Sequence, residues 1–251
     1  MNNVGAQYCV YEDTGNFLLE SMTRVYPFMD VILVMLNYDP WFGTANIESS
    51  FETYKKIMDF PDPENKILLV SQHWKNEELQ RNYGKDLLHK MGIKWCMICD
   101  DDELYNADEL QNAIDYLKTT VAGVVLVHQQ MYWKSKDYCI DKLSYSFPTF
   151  VLSDNKKAWF NYCRNVKVDG TWETIKPELI VNHHLSYVRT DKQMLRKVET
   201  FSHAKDFSWN DWYENVWCKW TLAMENLHVN PGDKGSFSRV MEAKNSQYKL
   251  R

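Results

Sequence analysis

No apolar run in this chain approaches the ~20 residues that a membrane-spanning helix needs. The first residues, Met1-Asn2-Asn3-Val4-Gly5, carry no basic stretch followed by an apolar one, so no signal peptide is expected and a cytoplasmic setting is. Cysteine is sparse: six thiols are scattered between Cys9 and Cys218, and in such a setting they are expected to stay reduced. Positive charge is in deficit. With 29 Lys and Arg against 34 Asp and Glu, the net charge of −5 withholds the clustered cations that nucleic-acid binding draws on. Only nine glycines are present, and none builds a dinucleotide fingerprint, a phosphate loop or a nucleophile elbow. No H-E-x-x-H occurs either, so dehydrogenase, kinase, esterase and zinc-protease readings lose their usual support.

Aromatic residues, by contrast, are abundant: 10 Trp, 15 Tyr and 11 Phe. Flat amphipathic rings fill cores, and they also suit the faces of sugar rings. Hydrophobic residues at 45% and charged ones at 25% place the chain among globular proteins rather than disordered ones.

The pattern along the chain alternates strand and helix. Tyr8-Cys9-Val10 is a short apolar run, and Phe17, Leu18, Met22 and Val25 follow at helical spacing. Asp30–Leu36 reads as a strand buried on both faces, the kind parallel sheets use. A helix over Ser50–Met58, a strand over Lys66–Val70 and a helix over Glu77–Met91 that stops at Gly92 come next. The strand Lys94–Cys99 runs into Asp100-Asp101-Asp102-Glu103, and a helix over Asn106–Lys118 leads to a strand over Ala122–Val127. Such alternation predicts an α/β fold with a mostly parallel sheet and a ligand at the carboxyl ends of its strands. Met131–Thr149 mixes aromatics and charges and predicts a less regular second half. The expectation is one domain over residues 1–251, with a nucleotide-binding half (1–127) and an acceptor-side half (128–251).

Four consecutive carboxylates at the end of a buried strand repel one another unless a cation or solvent relieves them. In an extended strand end Asp100 and Asp102 point the same way and Asp101 the other, which suits a divalent ion such as Mn²⁺ or Mg²⁺. The alternative is an acidic cap for the helix that follows. Cys96 and Cys99, three apart in a strand, point to opposite faces and share neither a metal nor a disulfide.

Trp95-Cys96-Met97-Ile98-Cys99-Asp100-Asp101-Asp102-Glu103-Leu104-Tyr105 resembles the acidic strand end of GT-A glycosyltransferases related to family two. Gln80-Arg81-Asn82-Tyr83-Gly84 resembles the "R-N" element on the helix before it, and Asp30–Leu36 with Pro40-Trp41-Phe42-Gly43 is similar to the second strand and its loop. Downstream, Asn182-His183-His184-Leu185-Ser186-Tyr187-Val188-Arg189, Lys197 and Phe201-Ser202-His203 resemble a stretch found in small transferases of this kind. The resemblance implies a Rossmann-like GT-A domain that moves a sugar from a nucleoside diphosphate sugar, with a UDP-sugar favoured. It implies metal ligation by Asp100, Asp102 and His184, with His183 as the next choice after His184. Contact with the donor would come from Glu12, Asp13, Asp39, Arg81, Asp101, Arg189, Lys197 and His203. For Arg81, pairing with a core carboxylate is an equal alternative. An inverting transfer also needs a carboxylate base on the acceptor side, for which Asp206 and Glu173 lead and Glu178 and Asp211 follow. The acceptor stays open among a glycan, a small molecule and a modified DNA base. A nucleotidyltransferase on a similar sheet, or a non-catalytic carbohydrate- or protein-binding domain, are the rival readings.

Overall fold

The computed structural model describes residues 2–13, 15–201, 203–230 and 237–251. Ser202, part of the Phe201–His203 stretch, lies outside them.

Strand β1 (Val4–Val10) leads through a loop to α1 (Leu18–Val25), and β2 (Val31–Asn37), α2 (Ile47–Met58), β3 (Ile67–Gln72), α3 (Glu77–Lys90) and β4 (Trp95–Cys99) follow. After β4 come the short β5 (Glu103–Leu104), α4 (Ala107–Leu117) and β6 (Val124–Trp133). The remaining strands are β7 (Ser135–Ile140), β8 (Ser146–Leu152), β9 (Ala158–Tyr162), β10 (Asn165–Val168), β11 (Trp172–Thr174) and β12 (Asn182–Tyr187). Helices α5 (Asp191–Thr200) and α6 (Trp209–Trp212) precede β13 (Val240–Glu242).

One large sheet runs β13-β7-β6-β8-β4-β1-β2-β3. Its β4-β1-β2-β3 half is parallel throughout, and β8 enters antiparallel between β4 and β6, which restores the direction of β6 to that of β4. β11 and β12 add to β6 in parallel. This is the α/β, Rossmann-like architecture that the alternating pattern predicts.

Within the parallel half, β1, β2 and β4 are buried on both faces, and the sequence shows why. Along β2, Ile32, Val34 and Leu36 enter the main core with α1 and α4, whereas Leu33 and Met35 pack with Trp74 and Leu88 on the α3 side. Strand alternation sorts a continuous apolar run into two cores. It also sends Cys96 to the α3 side and Cys99 to the main core, so the two thiols point to opposite faces as expected. Asn76 caps α3 by accepting from the Leu79 amide at 2.9 Å, and the helix ends before Gly92, whose φ is +82°. Gly84 lets α3 lie close to the sheet: a Cβ there would stand 2.2 Å from Gln7 Oε1 and 2.6 Å from Met35 Cε.

The second half is the less regular one, as the sequence predicts, and after β6 it is built largely of strands of three to seven residues. Met131–Thr149 holds the end of β6, all of β7 and the start of β8. β7 mixes charged, polar and apolar residues and β8 is broken by Pro148, so neither shows the continuous apolar run that marks β2. A second, aromatic core forms at the end of β6 around Trp133, which is fully buried among Tyr187, Trp212, Trp217 and Phe237. Ring contacts of this kind contribute roughly 0.5–1.5 kcal/mol each beyond their burial. Among the described residues no helix is long and apolar enough to cross a membrane.

Candidate functional site

The carboxyl ends of β1, β2 and β4 open into a cavity of about 760 Å³. Tyr11 and Glu12 line it from the loop after β1, Pro40 and Trp41 from the loop after β2, and Asp100, Asp101 and Asp102 from the end of β4. Parallel strands place these loops on one edge, as the crossover pattern requires.

The acidic turn is built differently from the extended strand end that the sequence suggests. β4 stops at Cys99, and the Glu103 amide donates back to the Asp100 carbonyl at 3.1 Å. In this turn the alternation rule no longer applies, and Asp100 and Asp102 are held by separate sets of cations. Asp100 accepts from Arg81 at 2.8 Å and from Arg164 at 3.3 Å. Burial opposes its charge, and the two guanidiniums overcome that and hold its carboxyl down at about 2. Asp102 accepts from Arg189 at 2.7 Å and Lys197 at 3.1 Å on Oδ2, while His184 Nε2 stands 3.1 Å from Oδ1. Here too burial works against ionisation, yet Lys197, His184 and Arg189 keep the group well below the ordinary carboxylate range. Asp101 has no ion-pair partner among the described residues. Burial and then the neighbouring Asp102 push it up to about 8, against the pull of Arg189.

His184 reaches Asp102 because of strand register. β12 pairs antiparallel with β5, setting His184 opposite Glu103, and the Leu185 amide donates to the Asp102 carbonyl at 2.7 Å. Alternation turns His183 the other way, where its ring lies 3.1 Å from Tyr132 Oη and 3.3 Å from Asn106 Nδ2. His183 is therefore a core residue. Lys197 comes from α5, which a Thr190–Gln193 capping box starts and which packs Met194 and Val198 into the aromatic core. The next residue toward its start, Arg196, reaches across to Glu12 at 2.6 Å.

Most of the expected residues meet here: Glu12, Arg81, Asp100, Asp101, Asp102, His184, Arg189, Lys197 and His203 all line the cavity. Four do not. Asp13 sits just behind it, accepting from the Phe17 and Leu18 amides and from Lys56, so it anchors the start of α1. Asp39 is exposed and pairs with His73 at 3.2 Å. Glu173, on β11 opposite Val125, accepts from Tyr116 and Thr120, far up β6 from the acidic turn. Asp206 does not line the cavity, but it accepts from His203 Nδ1 at 2.7 Å, and His203 does. Glu178 and Asp211 are exposed away from it. For Arg81, the core-carboxylate alternative holds: its partners are Glu77 at 2.7 Å and Asp100.

Two further arginines reach the site without any local sequence signal. Arg164 sits in the tight turn between β9 and β10, after Cys163 at φ +45°, and its guanidinium binds Glu103 as well as Asp100. Arg196 is the other. No spacing rule marks a residue whose partner is 61 or 184 positions away. The rings of Tyr145, Tyr162 and Trp172, which are 71%, 53% and 42% exposed, also border the cavity.

A divalent ion suits part of this donor set. Mg²⁺ and Mn²⁺ take one or two protein ligands and complete their shell with water and phosphate oxygens. Two ligands ~2.1 Å from one ion at right angles stand ~3.0 Å apart, close to the 3.1 Å between Asp102 Oδ1 and His184 Nε2. Asp100 does not suit it, because both its oxygens face guanidiniums, which cannot share a metal, whereas Asp102 Oδ1 faces the ligating nitrogen of His184. Among the described residues no three His, Cys, Asp or Glu side chains converge into a complete protein cage.

No protein-family profile matches the chain, and no curated protein does. Among solved structures it is similar to residues 1–349 of S. aureus TarS, with a TM-score of 0.45 and 12% identity over 78% of this chain and 64% of that one. The same protein in complex with UDP-GlcNAc aligns at a TM-score of 0.36 and 14% identity, over 51% and 34%. A mannose-1-phosphate geranyltransferase from Thermus thermophilus aligns at 0.36 and 11%, over 62% and 51%. The chain thus spans 34–64% of the length of these proteins.

Proposed function

We propose that the chain is a glycosyltransferase of GT-A type that binds a nucleoside diphosphate sugar, a UDP-sugar by preference, over the acidic turn and passes the sugar to a hydroxyl acceptor. The observation that supports this most is the convergence of Asp102, His184, Arg189 and Lys197 on one wall of a cavity at the carboxyl ends of parallel strands. A diphosphate needs cationic and hydrogen-bond-donating partners, and Arg189 and Lys197 supply them beside the carboxylate that orients them. Asp102 and His184 would hold Mn²⁺ or Mg²⁺, and such an ion supplies charge neutralisation to a departing diphosphate.

On the acceptor side, His203 takes the role that carboxylates were expected to fill. Asp206 engages Nδ1, which leaves Nε2 as the nitrogen able to accept a proton. In the proposed step Nε2 removes the acceptor hydroxyl proton, the acceptor oxygen bonds to the anomeric carbon, and the bond to the diphosphate oxygen breaks with its electron pair leaving on the diphosphate. Asp206 is then a positioning residue. Tyr145, Tyr162 and Trp172 at the cavity edge suit the faces of a sugar ring, which favours a glycan acceptor.

The test is release of nucleoside diphosphate from a panel of UDP-, GDP- and dTDP-sugars with Mn²⁺, followed by mass spectrometry in the presence of oligosaccharides. Release from one donor, faster with an oligosaccharide that gains the sugar mass, is the expected result. A panel in which no donor is consumed contradicts the reading.

A further inference from the structure

Helix α2 leaves a stripe of large apolar side chains in solvent. Ile47, Phe51, Tyr54 and Met58 are 82%, 60%, 38% and 58% exposed. Their spacing of four, three and four residues keeps them on one face with a period of 3.5, the spacing of a seam between two helices. The helix already satisfies its own fold by another face: Thr53 and Ile57 are buried, Thr53 Oγ1 accepts from the Asp13 amide, and Lys56 pairs with Asp13. The stripe is therefore not needed to hold α2 on the sheet. Phe51 and Tyr54 stack on each other at 6.4 Å with rings 10° apart, and Lys55 lies 5.9 Å over Phe51, which preorganises the face.

The charges beside the stripe say what covers it. Glu48 and Lys55 are seven residues apart, two full turns, so they lie on the same flank at opposite ends. An antiparallel copy of the same helix would bring Glu48 next to Lys55 of the second copy and Lys55 next to its Glu48. Such a pairing is self-complementary, as a two-fold interface must be. It would also set Phe51 against Tyr54, and Ile47 against Met58, of the second copy. A bilayer is the poorer occupant, because Glu48 and Glu52 offset Lys55 and Lys56 and leave no basic excess for anionic lipid.

We propose that α2 is a homodimer interface, with two copies of this chain paired antiparallel through Ile47, Phe51, Tyr54 and Met58. One helix of 12 residues offers less than the ~1,000 Å² of a firm interface, so the dimer is weak and forms as concentration rises.

Analytical ultracentrifugation of the full chain over a roughly hundredfold concentration range tests this. Wild type should pass from monomer to dimer, and Phe51→Glu should weaken the dissociation constant more than ~10-fold. Glu48→Lys or Lys55→Glu alone should weaken association, and the two together should restore it. Circular dichroism checks that each variant is folded, and Ile47→Glu, at the most exposed position, replaces any that is not. A monomer at every concentration, an unchanged dimer in Phe51→Glu, or a double charge swap as weak as either single one overturns the proposal. So does a protein that stays monomeric yet binds phosphatidylserine vesicles through the same stripe.

Discussion

Asp102 and Arg189 form a buried ion pair: Oδ2 accepts from the guanidinium at 2.7 Å, and the two side chains expose 3% and 2% of their surface. Lys197 shares the same oxygen. A carboxylate so enclosed is tied to stability as well as to any ligand it helps bind. Replacing it with Asn removes the counter-charge from Arg189 and Lys197 in a place water reaches poorly. Asp102→Asn should therefore lose roughly 3 kcal/mol of unfolding free energy, measured by urea denaturation. A loss within ~0.5 kcal/mol of zero, the range of an ordinary surface substitution, would count against this pairing.

The parallel half of the fold was legible because buried parallel strands carry apolar runs such as Val31–Leu36, and helices between them carry caps and stops such as Asn76 and Gly92. The aromatic second half was not. β7 meets the Trp133 core through Tyr138 and Ile140, whereas β8 runs antiparallel inside the sheet between β4 and β6, and the neighbours of both are set by tertiary packing. At the site, residues fixed by local motifs, Asp102, His184, Arg189 and Lys197, met as expected. Asp13 and Asp39 lie off the cavity because a carboxylate in a loop caps helices and pairs with neighbours as readily as it faces a ligand, and Glu173 does so because its strand β11 turns it to Tyr116 and Thr120. Arg164 and Arg196 act only through long-range pairing, which no spacing announces.

His183 makes the fold acid-sensitive. Burial first, then the nearby Arg24 and Arg251, pushes its pKa down to about 3, so it is neutral in the folded chain. The unfolded chain takes up that proton near pH 6.5, and the folded one does not until about pH 3. Between these values the unfolded state holds more protons, so stability falls as pH drops, by up to ~1.4 kcal/mol per pH unit from this group. Above pH 6.5 the contribution is flat. His183→Gln should flatten the acid limb in denaturation curves collected from about pH 7 to about pH 4. An unchanged slope would remove His183 as its source.

The pair of His203 and Asp206 gives a kinetic expectation. If His203 accepts the acceptor proton, His203→Ala should cut turnover by ~10²–10⁴-fold with little effect on donor binding. Asp206→Asn keeps a hydrogen-bond partner for Nδ1 but removes the carboxylate that fixes the ring's orientation. It should cut turnover less, by about 10-fold. Equal losses in donor affinity for both variants would instead make this pair part of the donor site.

Whether the Asp102–His184 wall binds a nucleoside diphosphate sugar with a divalent ion is read most directly from a thermal-shift panel of UDP-, GDP-, dTDP- and CMP-sugars with and without Mn²⁺. Wild type and His184→Ala should be compared, since His184 can be truncated without uncovering a buried carboxylate that Arg189 and Lys197 still hold. The expected result is a rise in melting temperature with one donor that requires Mn²⁺ and is lost in His184→Ala, because only a ligand that prefers the folded chain stabilises it. No rise with any donor at saturating Mn²⁺, or a rise that survives both chelation and His184→Ala, would contradict it.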